Sequence, residues 1–277
     1  MLKRILVLLG ETPSSRCARD YTFHLARKTG ATVAGLAGID LSYIEAPMLG
    51  RIGTTSYKTK LEEALRKQAD DARQRLHKIF ERECKEWNMS FEWLSFEGDP
   101  NLHLQLAAGT RDIIITGHDT AYYGNIREQL PEMVSKLLLA TPRPVIICPD
   151  EPPAGRDVLI AYDGSLAAMR VIQLFVLLGI GQDSRIHVTS INASRELAER
   201  ATHDVVDYLN GHEYQAEAHP ITSDTHPSDL LRSQVADQNI GTLVMGAYGR
   251  RGWREFLFGS TTNSLVGAPP CALFLYH

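Results

Sequence analysis

The stretch GAYGRRGWREFLFGSTT, residues 246–262, gathers the residue types that bind phosphate. Gly246 and Gly249 let backbone approach a ligand with no Cβ in the way, and Gly259 allows a turn into a following helix. Ser260, Thr261 and Thr262 bring hydroxyl donors to the start of that helix, where unpaired N–H groups and the positive end of the helix dipole favour an anion. Arg250, Arg251 and Arg254 could neutralise phosphates or form a solvated basic face. A second candidate is Asp163-Gly164 in YDGSLAA, either a ligand contact or a turn.

Other chemistry is weakly supported. His212, His219 and His226 recur every seven residues, but two of them precede proline and no carboxylate cluster accompanies them, so no metal site is expected. Cys17, Cys84, Cys148 and Cys271 are widely spaced with no CxxC, giving neither a zinc site nor a disulfide framework. Buried packing is their default role. The chain has no GxxxxGK[ST], no kinase HRD and DFG set, no GxSxG and no HExxH, so catalytic residues are not assigned.

These residues need elements to position them, and the same order of elements occurs twice. RILVLLG (4–10) and DVLIAYDG (157–164) are short apolar runs ending in a turn, each followed by a segment of helical period. TVAGLAGID (32–40) matches RIHVTSIN (185–192), DIIITGH (112–118) matches TLVMGAY (242–248), and PVIICP (144–149) matches CALFLYH (271–277). Between the second and third strands of the first copy, Leu61, Leu65, Ala69, Ala72, Leu76, Ile79 and Phe80 recur at three- and four-residue steps, predicting a long amphipathic helix. The loop before it holds Tyr43 and Met48, with Tyr57 following, and covers the sheet or lines another pocket.

Runs apolar on both faces, alternating with helices, predict an α/β fold of two tandem five-stranded parallel sheets with helices on both faces. The Pro-rich PDEPPAGR (149–156) separates a domain at 1–150 from one at 155–277. The glycine loop then lies at the carboxyl end of a strand, where parallel sheets bind ligands. In the first copy the matching positions read Gly117, Thr120, Leu130 and Pro131, and proline has no N–H to offer; Gly10, with Glu11 beside it, takes the place of Asp163.

The chain has 277 residues, with 29 Lys plus Arg against 33 Asp plus Glu, which argues against a general electrostatic grip on nucleic acid or an anionic membrane. The apolar run after MLKR is too short for a signal-peptide core or a membrane span and reads as a first strand. A cytoplasmic location is expected.

The pattern Gly246-x2-Gly249-x9-Gly259-Ser260, set between a strand and a final short helix and strand, resembles the nucleotide motif of the universal stress proteins. DGSLAA after the first strand and APPCALFLY at the last extend the resemblance over the second copy. It implies a Rossmann-like five-stranded sheet per domain and ATP as the ligand, with Mg²⁺ as an optional companion. By that resemblance Gly246, Gly249, Gly259, Ser260 and Thr261 meet ribose and phosphates, Asp163 lies near the ribose or a metal, and the strand end around Ile191 faces adenine through its backbone; Gly164 beside Asp163, and Arg250 by its charge, are counted with the site. The first copy departs from the motif and is expected to keep the fold without the ATP cradle.

Three readings remain open: an ATP-binding regulatory module in stress response, an enzyme of the same fold with slow ATP hydrolysis or autophosphorylation at a hydroxyl such as Ser260, and a dimerisation scaffold. The resemblance also implies pairing of last strands, which a tandem chain can satisfy internally as a pseudo-dimer; a homodimer is equally allowed.

Overall fold

The structure is a computed structural model that describes residues 1–40, 55–120, 137–138, 141–247 and 259–277. Tyr43, Met48, Leu130, Pro131, Gly249, Arg250, Arg251 and Arg254 lie outside the described residues, as do the side chains of Tyr57 and Leu61.

The first half contains β1 (Arg4–Leu8), α1 (Pro13–Thr29), β2 (Thr32–Asp40), α2 (Thr55–Glu86), β3 (Phe91–Gly98), α3 (Pro100–Gly109), β4 (Ile113–Gly117) and β5 (Val145–Cys148). The second contains β6 (Asp157–Ala161), α4 (Leu166–Leu178), β7 (Arg185–Asn192), α5 (Arg195–Gly211), β8 (Gln215–Thr222), α6 (Pro227–Asp237), β9 (Ile240–Gly246), α7 (Ser260–Gly267) and β10 (Ala272–Tyr276).

Strand order is β3-β2-β1-β4-β5-β10-β9-β6-β7-β8. Each half is a parallel block of five strands in the same internal order, as the repeated sequence pattern requires. The blocks are not separate sheets. β5 and β10 pair antiparallel, with Leu273 opposite Ile147 and Phe274 opposite Ile146, and this join makes one ten-stranded sheet. Each last strand otherwise offers a row of unpaired backbone groups, and the other supplies the partner.

The alternation along β1 explains the layers. Ile5 and Val7 face one core with Phe23, Phe80, Phe175 and Phe274, while Leu6 and Leu8 face another with Leu138, Leu243, Leu265 and Leu275. On α2, Ala69, Ala72, Leu76 and Phe80 are buried as the helical period predicts, and Ile79 is half-buried. All four cysteines are buried and unpaired. Burial pushes the thiols of Cys84 and Cys271 up to about 12.

Candidate functional site

In each block the strand order reverses beside the first strand, between β1 and β4 and between β6 and β9. Connections diverge there to opposite faces, leaving a gap at the carboxyl ends of the strands. In the second half that gap is an open cleft of about 230 Å³. Its floor is Ala161 and Tyr162 after β6, Thr189 and Ile191 of β7, and Met245 and Gly246 of β9; Pro227 and Leu231 of α6 form one wall. Gly259, Ser260, Thr261 and Thr262 line the start of α7, and Asp163 stands at the rim.

Three helices start around this cleft, and their N-termini differ. Ser165 caps α4 by accepting from Ala168 N at 3.1 Å. His226 caps α6 through Nδ1, which accepts from Ser228 N at 3.4 Å. On α7 the cap residue is Gly259, which has no side chain to satisfy the helix, and the first intrahelical bond runs from Asn263 N to Gly259 O at 3.0 Å. The N–H groups of Ser260, Thr261 and Thr262 precede that bond and carry the helix's partial positive charge toward the cleft. Among the described residues, a Cβ on Gly259 would meet nothing within 4 Å. The start of α7 therefore has both the donors and the free space an anion needs.

The expected site residues divide by role. Asp163, Ile191, Gly246, Gly259, Ser260 and Thr261 all border the cleft, whereas Gly249 and Arg250 lie outside the described residues. Gly164 is not on the cleft wall; at φ +77 it makes the left-handed turn that starts α4. Asp163 serves that turn as well, its Oδ1 accepting from Ser165 N at 2.9 Å. Both the turn role and the cleft position thus hold for this residue.

A Cβ on Gly246 would stand 2.9 Å from Ala168 N, so the close approach of α4 by itself requires glycine at this cleft-bordering position. Gly117 has the same role against α1, with Ser14 C and Ser15 N each 2.6 Å from its would-be Cβ. Gly259 has φ −58 and ψ 153, an ordinary extended conformation, so the turn into α7 does not require glycine.

His226 was not singled out as a site residue by sequence. Its Nε2 lies 3.0 Å from Ser260 Oγ and its Nδ1 2.7 Å from Ser228 Oγ, and Ser228 Oγ donates to Asp229 Oδ1 at 3.3 Å. The residues are 34 positions apart, and only the packing of α6 beside α7 brings them together. A histidine immediately before a helix-starting proline was the available signal.

In the first half, the described side chains at the equivalent place bond one another. Ser15 Oγ bonds Thr120 Oγ1 at 2.6 Å, Gly117 N donates to Thr120 Oγ1 at 2.9 Å, and Thr12 Oγ1 bonds Ser15 Oγ at 2.9 Å. Ser14 Oγ donates to Asp119 Oδ1 beside them. Where the second half has Ile191, the first has Gly38, and the ring of Phe96 lies 2.1 Å from where a Cβ on that glycine would be.

A parallel α/β block with a ligand cleft at its switch point describes a broad class of nucleotide and small-molecule binders, and the comparisons narrow it. Residues 155–277 match the model of the Universal stress protein family, so the second half of the chain is similar to that family. The chain is 24% identical over 164 residues to the universal stress protein Slr1230 of Synechocystis sp., a match covering 57% of this chain and 55% of that protein. The match thus spans about half the length of the curated relative.

Among solved structures, a universal stress protein from Archaeoglobus fulgidus is similar with a TM-score of 0.64 at 17% identity, covering 99% of this chain and 97% of that one. A putative universal stress protein from Pseudomonas aeruginosa gives 0.56 at 15% identity, covering 99% and 93%. At these identities the likeness is one of fold, and it extends over both halves. Among the described residues no helix is long and apolar enough to cross a membrane.

Proposed function

We propose that the protein is an ATP-binding regulatory module of the stress-response type, with one nucleotide site per chain in the second half. The observation that carries this reading is the start of α7, which among the described residues has no side-chain cap at Gly259 and opens on the cleft with room beside that glycine. Phosphate oxygens would take the N–H groups of Ser260, Thr261 and Thr262 and the hydroxyls of Ser260 and Thr261. The adenosine part would lie toward Ile191 and Tyr162, with Asp163 at the rim able to accept from ribose hydroxyls or to hold a cation. Mg²⁺ would be a companion of the phosphates, supplying charge neutralisation.

Calorimetric titration of the full chain with ATP, with and without Mg²⁺, tests the reading. One site per chain is expected, and mass spectrometry of gently purified protein is expected to find intact ATP. Two equivalent sites, or none, would overturn it.

The contact between His226 and Ser260 favours a second reading, slow autophosphorylation. In the tautomer that gives up the long cap bond from Ser228 N and carries the proton on Nδ1, His226 donates to Ser228 Oγ and leaves Nε2 as a base for the Ser260 hydroxyl. Ser260 Oγ would attack the γ-phosphorus, the bond to the β-phosphate oxygen would break, ADP would leave and the proton would pass to Nε2. Phosphoserine at 260 that vanishes in His226→Gln, while ATP binding persists, is the expected signature; intact ATP with unmodified Ser260 rejects this reading and leaves the module.

A further inference from the structure

The first half of β7 and β8 carries a cluster that neither the nucleotide cleft nor the fold requires. His187 and Glu217 are register partners on these neighbouring strands, and His219 lies two residues beyond Glu217 on the same face. His187 Nδ1 is 2.7 Å from Glu217 Oε1 and 3.0 Å from His219 Nε2, and His219 Nε2 is 3.1 Å from the same Oε1. The His187 side chain is 8% exposed, against 31% for His219 and 57% for Glu217. The cluster thus has a buried inner ligand and a solvent-facing side, on the edge strand of the sheet.

Hydrogen bonds alone serve this triangle poorly. If His187 gives a proton from Nδ1 to Glu217, a neutral ring turns a bare lone pair at Nε2 toward Asp157, whose Oδ2 is 3.6 Å away. Nε2 is buried and has no hydrogen-bond partner among the described residues. The opposite tautomer removes the conflict. With the proton on Nε2, the ring faces the Asp157 carboxylate, itself held by Arg185 at 3.3 Å, and the Nδ1 lone pair points between His219 and Glu217. A carboxylate behind a histidine, fixing its tautomer and raising its basicity, is the usual outer support of a metal-bound imidazole.

The geometry points to a divalent transition-metal site of the zinc type, with His187 Nδ1, His219 Nε2 and Glu217 Oε1 as its three protein ligands and Asp157 as the outer carboxylate. Ligands at about 2.0–2.1 Å in a tetrahedron stand about 3.3–3.4 Å apart. The three donors, now 2.7–3.1 Å apart, need to spread by only a few tenths of an ångström. Two imidazoles and one carboxylate suit zinc over calcium or magnesium, which prefer all-oxygen sets. Three ligands leave the fourth position to water.

The site belongs to the second half alone. Its counterparts in the first half are Ala34, Glu92 and Leu94, and Glu92 pairs with Arg111 at 2.6 Å. It shares no residue with the nucleotide cleft, whose nearest lining residue on β7 is Thr189, two positions or about 7 Å along the strand from His187.

The test uses the full chain, stripped with a chelator and free of nucleotide. Zn²⁺ competed against a chromophoric chelator should bind with one tight equivalent per chain. Co²⁺ should give the intense visible bands of a four-coordinate ion, bleached by zinc. His219→Ala and Glu217→Gln, at the more exposed positions, should each abolish the Co²⁺ bands while circular dichroism and melting remain near those of the parent. Asp157→Asn should weaken zinc by about ten- to a hundredfold. His118→Ala, in the other histidine–aspartate cluster at the end of β4, should leave the stoichiometry unchanged. No tight equivalent, full retention in His219→Ala or Glu217→Gln, or loss in His118→Ala would each overturn the assignment.

Discussion

The carboxyl ends of the two parallel blocks start from the same strand order and finish in opposite states. In the first, Thr12, Ser14, Ser15, Asp119 and Thr120 spend their hydrogen-bonding groups on one another, and Phe96 packs over Gly38. In the second, Ala167 and Ala168 replace the two serines, and Ile191 stands where glycine admitted a ring. At the start of α7 the Ser260 hydroxyl meets His226 Nε2 at 3.0 Å instead, and the cap position is a glycine with no side chain to bond the helix's first N–H groups. A conserved backbone thus becomes either a plug or a cleft according to a handful of short side chains.

The sharpest way to break this contrast is Gly259→Val. The position has open space and an ordinary φ, so the fold should tolerate the side chain, while isopropyl bulk should fill the ground where phosphates would sit. Calorimetry should find no ATP binding with the melting temperature retained. Binding at full strength would show that α7 does not hold the ligand.

Ser260→Ala removes one hydroxyl donor from the same place. A hydrogen bond to a charged group contributes about 1.5–3 kcal/mol, so ATP should bind about tenfold more weakly or worse. Unchanged affinity would remove the Ser260 hydroxyl from the phosphate contacts.

Gly246→Ala and Gly117→Ala test what the two ends share. Each Cβ would run into the backbone at the start of a helix, and denaturant melts should show losses of about 1–3 kcal/mol in both. Two neutral substitutions would undo the close-packing argument.

Thr120→Gly sharpens the contrast from the other side. It takes away the partner of Ser15 Oγ and of the buried Gly117 N–H and should destabilise by about 1 kcal/mol or more, with no ATP binding gained. A gain of binding would mean that the plug alone separates the halves.

The remaining effect is alkaline and common to both halves. Cys84 in the first and Cys271 in the second rise from the ordinary 9.0 to about 12 through burial. The folded state holds these protons longer than the unfolded one, so their contribution is complete below pH 9 and fades as pH rises toward 12. Urea midpoints should fall across that window, and by less in Cys271→Ala, provided its own stability loss is subtracted.

Much of this was legible beforehand because period and punctuation are local. The apolar runs and the repeated order of elements predicted parallel blocks with helices on both sides, and Gly259-Ser260-Thr261 marked the start of α7. Steric demands were less visible. That Gly246 also has to admit the start of α4 shows only once the third dimension sets it against Ala168. The histidines show the same limit: a spacing of seven drew attention to His212, His219 and His226, whereas the grouping that forms joins His219 to His187 across a strand pair. Glu217-x-His219 carried a usable clue, since strand residues two apart share a face, but His187 enters only with the register.

The antiparallel join of β5 to β10 also governs what happens during synthesis. The edge of β5 is complete once residue 148 has emerged, yet its partner begins at residue 272. At about 5–20 residues per second, that edge waits about 6–25 s for its own chain. Over that interval β5 is an apolar strand with unmatched backbone groups, open to pairing with the β5 of another nascent chain. The seam that unites the finished molecule is therefore the place where two copies are most able to misassemble on the ribosome.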